Sequence, residues 1–130
     1  MTIPGFDDWQ IIHTPGHTER DIAAFHIPLK RVYIADLIVK VKGKFIAPYP
    51  LFYPRCYRRS LQAIESLQPE SVILAHEGEI NFSDIDFQHL IDSAPSKPTA
   101  HWRSIKYKAK KYSDPYHNST IFHAKTSLYN

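Results

Sequence analysis

Four apolar runs and two helical stripes organise the first 94 residues. WQII (9–12) reads as a short buried strand closed by the turn His13-Thr14-Pro15-Gly16. DIAAFHIP (21–28) and RVYIADLIV (31–39) are rich in strand formers and are joined by Leu29-Lys30, the pattern of a hairpin. KVKGKFIAPYPLFYP (40–54), with Gly43, Pro48, Pro50 and Pro54, predicts a long loop. RCYRRSLQAIESL (55–67) then sets Tyr57, Leu61, Ile64 and Leu67 at helical intervals, and Pro69 ends that helix. SVILAH (71–76) is continuously apolar, as in a strand covered on both faces. Ser83 followed by Asp86 predicts a helix start of capping-box type, with Ile85, Leu90 and Ile91 giving one apolar face to about Ala94.

The sum is an α/β (α+β) arrangement: one sheet with helices on one side. Its strands carry apolar residues on both faces, so the second face also needs a cover. Past PSKP (95–98) the pattern divides. IKYKAKKY (105–112) alternates like a strand, yet Trp102, Ile105, Ala109 and Tyr112 also line a helix face. With SDPYHN (113–118) as a turn and STIFHAKTSLY (119–129) as a strand, a terminal hairpin is the favoured reading. The expected organisation is a body over 1–94 and a basic extension over 95–130 that packs on the body or on a partner chain.

Charge supports that division. Residues 1–94 hold nine Lys/Arg against twelve Asp/Glu, whereas 95–130 hold seven Lys/Arg against the single Asp114. Lys106, Lys108, Lys110 and Lys111 interleave with Tyr107 and Tyr112, a pattern that can attract phosphates and stack on bases. A solvated edge strand protected by its lysines explains the same residues and is the favoured reading over nucleic-acid contacts. At 130 residues the chain is expected to form one domain with a real core. No apolar run approaches the ~18 residues of a membrane span. MTIPGFDDWQ has no basic segment followed by an apolar one, and the single Cys56 allows no internal disulfide. These features lead to the expectation of a cytoplasmic protein without membrane partners.

Three polar residues follow apolar runs: His17, Asp36 and His76. In a common sheet, loops at the strand ends can bring them together, and two imidazoles with a carboxylate suit a zinc site with an open position. Pro15-Gly16 would hold the loop that presents His17 in a fixed bend. Taken singly, strand-end histidines more often bond to backbone, and an aspartate there often caps a turn. That ordinary reading is retained for His26, His89, His101, His117 and His123, and Cys56 reads as packing or surface.

HTPGHT (13–18), VYIAD (32–36) and VILAHEG (72–78) resemble, in order, the later metal-binding motifs of the metallo-β-lactamase superfamily, over roughly residues 9–80. The resemblance implies an αββα sandwich, of which residues 1–94 would be the C-terminal half. It implies that His17 binds a first metal, Asp36 bridges two, and His76 binds the second. His13, Thr18 and Glu77 become candidates for supporting those ligands. The cofactor implied is zinc, one or two ions, or none if the site is degenerate. The superfamily's upstream His-x-His-x-Asp-His is absent: twelve residues precede His13 and none is histidine. Glu19-Arg20-Asp21 stand where small residues are usual, and Ala35 and Ala75 where glycines are common.

A half sandwich would expose an apolar sheet face, and covering it at ~25 cal/mol per Å² is strongly favourable. The cover is expected to be a second copy in a symmetric homodimer, with a separate N-terminal half or the tail as alternatives. Function then has three readings. The first is a metal-dependent hydrolase component whose ligand set is incomplete in one chain: if active it is a zinc-dependent hydrolase, and this chain alone is expected to be inactive. The second is a non-catalytic dimeric binding or assembly module that keeps the fold and residual ligands. The third is nucleic-acid binding through the basic tail. No substrate is legible.

Overall fold

In the computed structural model, six strands form one sheet in the order β1 (Thr2–Ile3), β2 (Phe6–His13), β3 (Ile22–His26), β4 (Arg31–Tyr33), β7 (Ser71–Leu74), β8 (Gly78–Asn81). The structure describes residues 1–100. Met1–Thr99 make one compact unit. The expected terminal hairpin and Lys106, Lys108, Lys110 and Lys111 lie outside the described residues.

All pairs are antiparallel except β4–β7, which runs parallel. A parallel return requires a crossover, and helix α1 (Pro54–Ser66) lies on that connection. The β3–β4 hairpin turns between His26 and Arg31, with Ala24 opposite Tyr33 and Phe25 opposite Val32. Strict side-chain alternation then puts Ala23, Phe25, Val32, Val72 and Leu74 on one face, all buried. Against them pack Tyr57, Leu61 and Ile64 of α1, with Phe87, Leu90 and Ile91 of α2 (Phe87–Asp92). Each such side chain contributes about 1.5–3 kcal/mol through removal from water.

Among the described residues, no helix covers the opposite face. Registered across it are Ile11, Ala24, Tyr33 and Ile73, flanked by Ile22 and Trp9. Ile22 is 46% and Tyr33 40% exposed. The far end of the same face is polar. Arg31 Nε lies 2.9 Å from Glu79 Oε1, which also accepts from Ser71 Oγ at 2.7 Å. The uncovered face is therefore apolar at the end nearest the strand-end loops and charged at the other.

Several elements differ from the pattern-based expectation. The strand expected over 9–12 starts earlier, at Phe6, and two further strands, β1 and β8, flank the sheet. The run 31–39 ceases to be strand at Tyr33, because Ala35 takes φ 48° and turns the chain. Its apolar character persists because Ile34, Leu37 and Ile38 turn into the core. Inside the expected loop, β5 (Val39–Val41) and β6 (Lys44–Ile46) form a separate hairpin. Lys42 and Gly43 both have positive φ, 51° and 79°, as a two-residue type I′ turn requires. The second helix begins later than Ser83. Phe82–Asp84 form a short 3-10 turn, and Asp86 itself is the cap, accepting from His89 N at 2.9 Å. Helix α1 ends through Gln68 at φ 47°, one residue before Pro69.

Candidate functional site

The loop after β2 is held by α1. Gly16 lies so close to the helix that a Cβ there would sit 2.8 Å from Tyr57 Cβ, which only glycine avoids. The Gly16 carbonyl accepts from Phe52 N at 3.2 Å and Tyr53 N at 3.0 Å, and buried Ser60 donates to the Pro15 carbonyl at 2.8 Å. The bulky residues that follow His17 tie the loop further. The Asp21 carboxylate accepts from Thr18 N at 2.7 Å and from the Thr18 hydroxyl, and Glu19 accepts from Tyr53 OH.

His17 sits on this clamped loop with its Nδ1 2.5 Å from the Pro50 carbonyl oxygen. A carbonyl can only accept, so Nδ1 carries a proton, and in the neutral ring the lone pair lies on Nε2. Backbone support of this kind commonly orients a metal-binding imidazole.

Asp36 and His76 are brought together by the ends of β4 and β7. Ile34 N donates to Ile73 O at 3.0 Å, and Ala75 N to Ala35 O at 3.2 Å, so the next residue of each loop falls side by side. His76 Nε2 lies 3.3 Å from Asp36 Oδ1, with side-chain exposures of 79% and 44%. All three residues line one cleft of about 360 Å³, together with Val39, Val41, Ile46 and the segment from Ala47 to Tyr49.

Two imidazoles and a carboxylate are donor types that zinc takes. Two donors each 2.0–2.1 Å from one tetrahedral zinc stand about 3.3 Å apart, and Asp36 and His76 already hold that separation. The set is not closed, however: among the described residues no three His, Cys, Asp or Glu side chains gather closely enough to hold an ion. His17 shares the cleft without joining the Asp36–His76 pair.

The other sequence candidates are placed as follows. His13 ends β2 and is exposed; Thr18 is engaged with Asp21; Glu77 is exposed in the turn between β7 and β8. Burial raises the Cys56 thiol pKa, opposed by Arg59, so the thiol stays protonated. Two contributors to the cleft escape the sequence reading. The Pro50 carbonyl leaves no side-chain signal, whereas the alternation of Val39 and Val41 with lysines marks the apolar hairpin wall.

This arrangement of strands and helices recurs in solved structures. The chain is similar to ST1585, an archaeal metallo-beta-lactamase superfamily protein from Sulfolobus tokodaii, with a TM-score of 0.52 and 22% identity over 65% of this chain and 32% of that one. It is similar to the DIM-1 metallo-beta-lactamase at TM-score 0.52 and 15% identity, over 71% of this chain and 43% of that one. The fold is metallo-beta-lactamase-like. TMB-1 adds a further likeness, at TM-score 0.51 and 14% identity, over 71% of this chain and 42% of that one. At these identities the metallo-beta-lactamase likeness is one of fold, and the chain spans 32–43% of the length of the structures it matches. No protein-family model and no curated protein matches the chain. No helix among the described residues is long and apolar enough to cross a membrane.

Proposed function

We propose that this chain is the ligand-bearing layer of a metal-dependent hydrolase, with His17, Asp36 and His76 as its zinc ligands. The observation that carries the reading is the shared cleft, in which His17 presents a free Nε2 while Asp36 and His76 already stand at a common-ion separation. Zinc at such a site polarises a carbonyl or phosphoryl oxygen and lowers the pKa of water. The chain's own residues do the positioning. Pro50 fixes the His17 tautomer, the Gly16–Tyr57 contact fixes its loop, and the Ala35–Ala75 bond sets Asp36 beside His76. The ligands still wanting would come from a second polypeptide. The uncovered face around Ile11, Tyr33 and Ile73 favours a second copy laid against it.

Zinc titration calorimetry of the full chain, paired with sedimentation, tests this reading. The expected result is a dimer that binds zinc and loses it in a variant carrying His17→Ala, Asp36→Ala and His76→Ala. Zinc uptake unchanged by that variant would overturn the metal role. A zinc-free dimer would instead favour a non-catalytic assembly module. A monomer that binds zinc would overturn the homodimer.

A further inference from the structure

Large apolar side chains left in water call for an explanation when they cluster. Among the described residues, Ile22 and Tyr33 lie on the uncovered sheet face, and Ile27 and Leu29 lie between β3 and β4. Val41, Ile46 and Tyr49 belong to neither place. They are 47%, 41% and 70% exposed, and all three line the cleft that holds His17, Asp36 and His76.

The hairpin's register explains how they come to be there. Val39 pairs with Ile46 and Val41 with Lys44, so Val39, Val41, Lys44 and Ile46 share one face, of which Val39, Val41 and Ile46 line the cleft, while Lys40 and Phe45 take the other. Phe45 packs against the core and carries Lys40 Nζ 5.5 Å above its ring. With the Phe45 face anchored inward, the valine–isoleucine face is turned to the cleft. Tyr49 extends this wall three residues past Ile46. The cleft thus has a polar group of three beside an apolar wall that no part of the described chain covers. Its volume of about 360 Å³ lies at the small end for sites that take small molecules.

We propose that Val41, Ile46 and Tyr49 form the specificity wall of the site, which selects small substrates carrying an apolar group next to the hydrolysed bond. The alkyl or aryl group lies on the wall, and the acyl or phosphoryl oxygen faces His17, Asp36 and His76. This inference rests on the metal reading for its polar end and on the hairpin for its apolar end, and the two ends are separable by experiment.

The probe is a carboxylate series (acetate, butyrate, hexanoate and benzoate) titrated into the zinc-loaded full chain and followed by amide and side-chain NMR shifts. Affinity is expected to rise about two- to fourfold per added methylene, the range for a methylene partly to fully withdrawn from water. The Val41, Ile46 and Tyr49 signals should shift with it. Ile46→Ser combined with Tyr49→Ser should bring hexanoate to the level of butyrate while zinc affinity stays within about twofold. Both positions are exposed, so the core is untouched. Butanol and hexanol, added without zinc, separate the two ends. Graded alcohol binding in a chain that takes no zinc would sink the metal reading and support the wall. A flat carboxylate series on a zinc-loaded chain, or a gradient unchanged in the double variant, would overturn the proposal.

Discussion

His17 and His76 both follow strands and line the same cleft, yet the molecule holds them in different ways. His17 is part-buried on a loop clamped by α1, and a backbone carbonyl decides its tautomer. His76 is 79% exposed on the turn between β7 and β8, with Asp36 as its neighbour at 3.3 Å. One imidazole is preorganised from within the chain. The other stands on an exposed turn with Asp36 beside it. The contrast is between an imidazole held from within the chain and one on an exposed turn beside a carboxylate.

The largest expected effect sharpens that contrast. His17→Ala should reduce zinc affinity by more than the 10–100-fold that loss of an outer partner alone costs, as measured by calorimetry. His76→Ala should cost less, because its imidazole must be ordered on binding. Equal losses would mean that the His17 clamp adds nothing.

The clamp itself can be broken by one methyl group. Gly16→Ala forces Tyr57 and the backbone of α1 to move, at a cost of about 1–3 kcal/mol by denaturant unfolding. Gly78→Ala, on the His76 turn, meets nothing within 4 Å and bears only the strain of φ +75°, about 1–2 kcal/mol. The Gly16 variant should also broaden the His17 signals, and the Gly78 variant should not.

Tyr57 gives a pH test of the same contact. Burial raises its phenol far above the ordinary 10.0. The folded chain therefore keeps a proton that the unfolded chain releases, so this stabilisation is full below pH 10 and fades as pH rises. At pH 11, one unit above the unfolded value, the loss is about 1.4 kcal/mol. Tyr57→Phe should lack that component when unfolding free energies are compared at pH 8 and pH 11.

The smallest expected effect lies beside Asp36. Ala35 holds φ 48°, a conformation that costs about 1–2 kcal/mol and that glycine adopts freely. Ala35→Gly should stabilise the chain by about 0.5–1 kcal/mol, after the added chain entropy of glycine is subtracted, and raise the melting temperature slightly.

The sequence legibly marks features with strong periodicity. Tyr57, Leu61 and Ile64 mark α1, and the hairpin before Asp36 follows from β-rich runs around Leu29-Lys30. Ordered motifs place His17, Asp36 and His76 at strand ends, and the cleft gathers them. What escapes the sequence depends on backbone geometry. Lys42 sits in a left-handed turn that lysine does not advertise, which hides the β5–β6 hairpin and with it the apolar wall. Asp86 competes with Ser83 as a cap, and the winner depends on where Ile85 is buried. The His17 partner is a carbonyl, which every residue has.

The most direct test is a zinc titration of the full chain followed through the imidazole nitrogens of His17 and His76. The account predicts that both rings respond together at stoichiometric zinc, with His17 binding through Nε2 and keeping its Nδ1 proton toward Pro50. Zinc that moves neither ring, or that displaces the His17 Nδ1 proton, would contradict it.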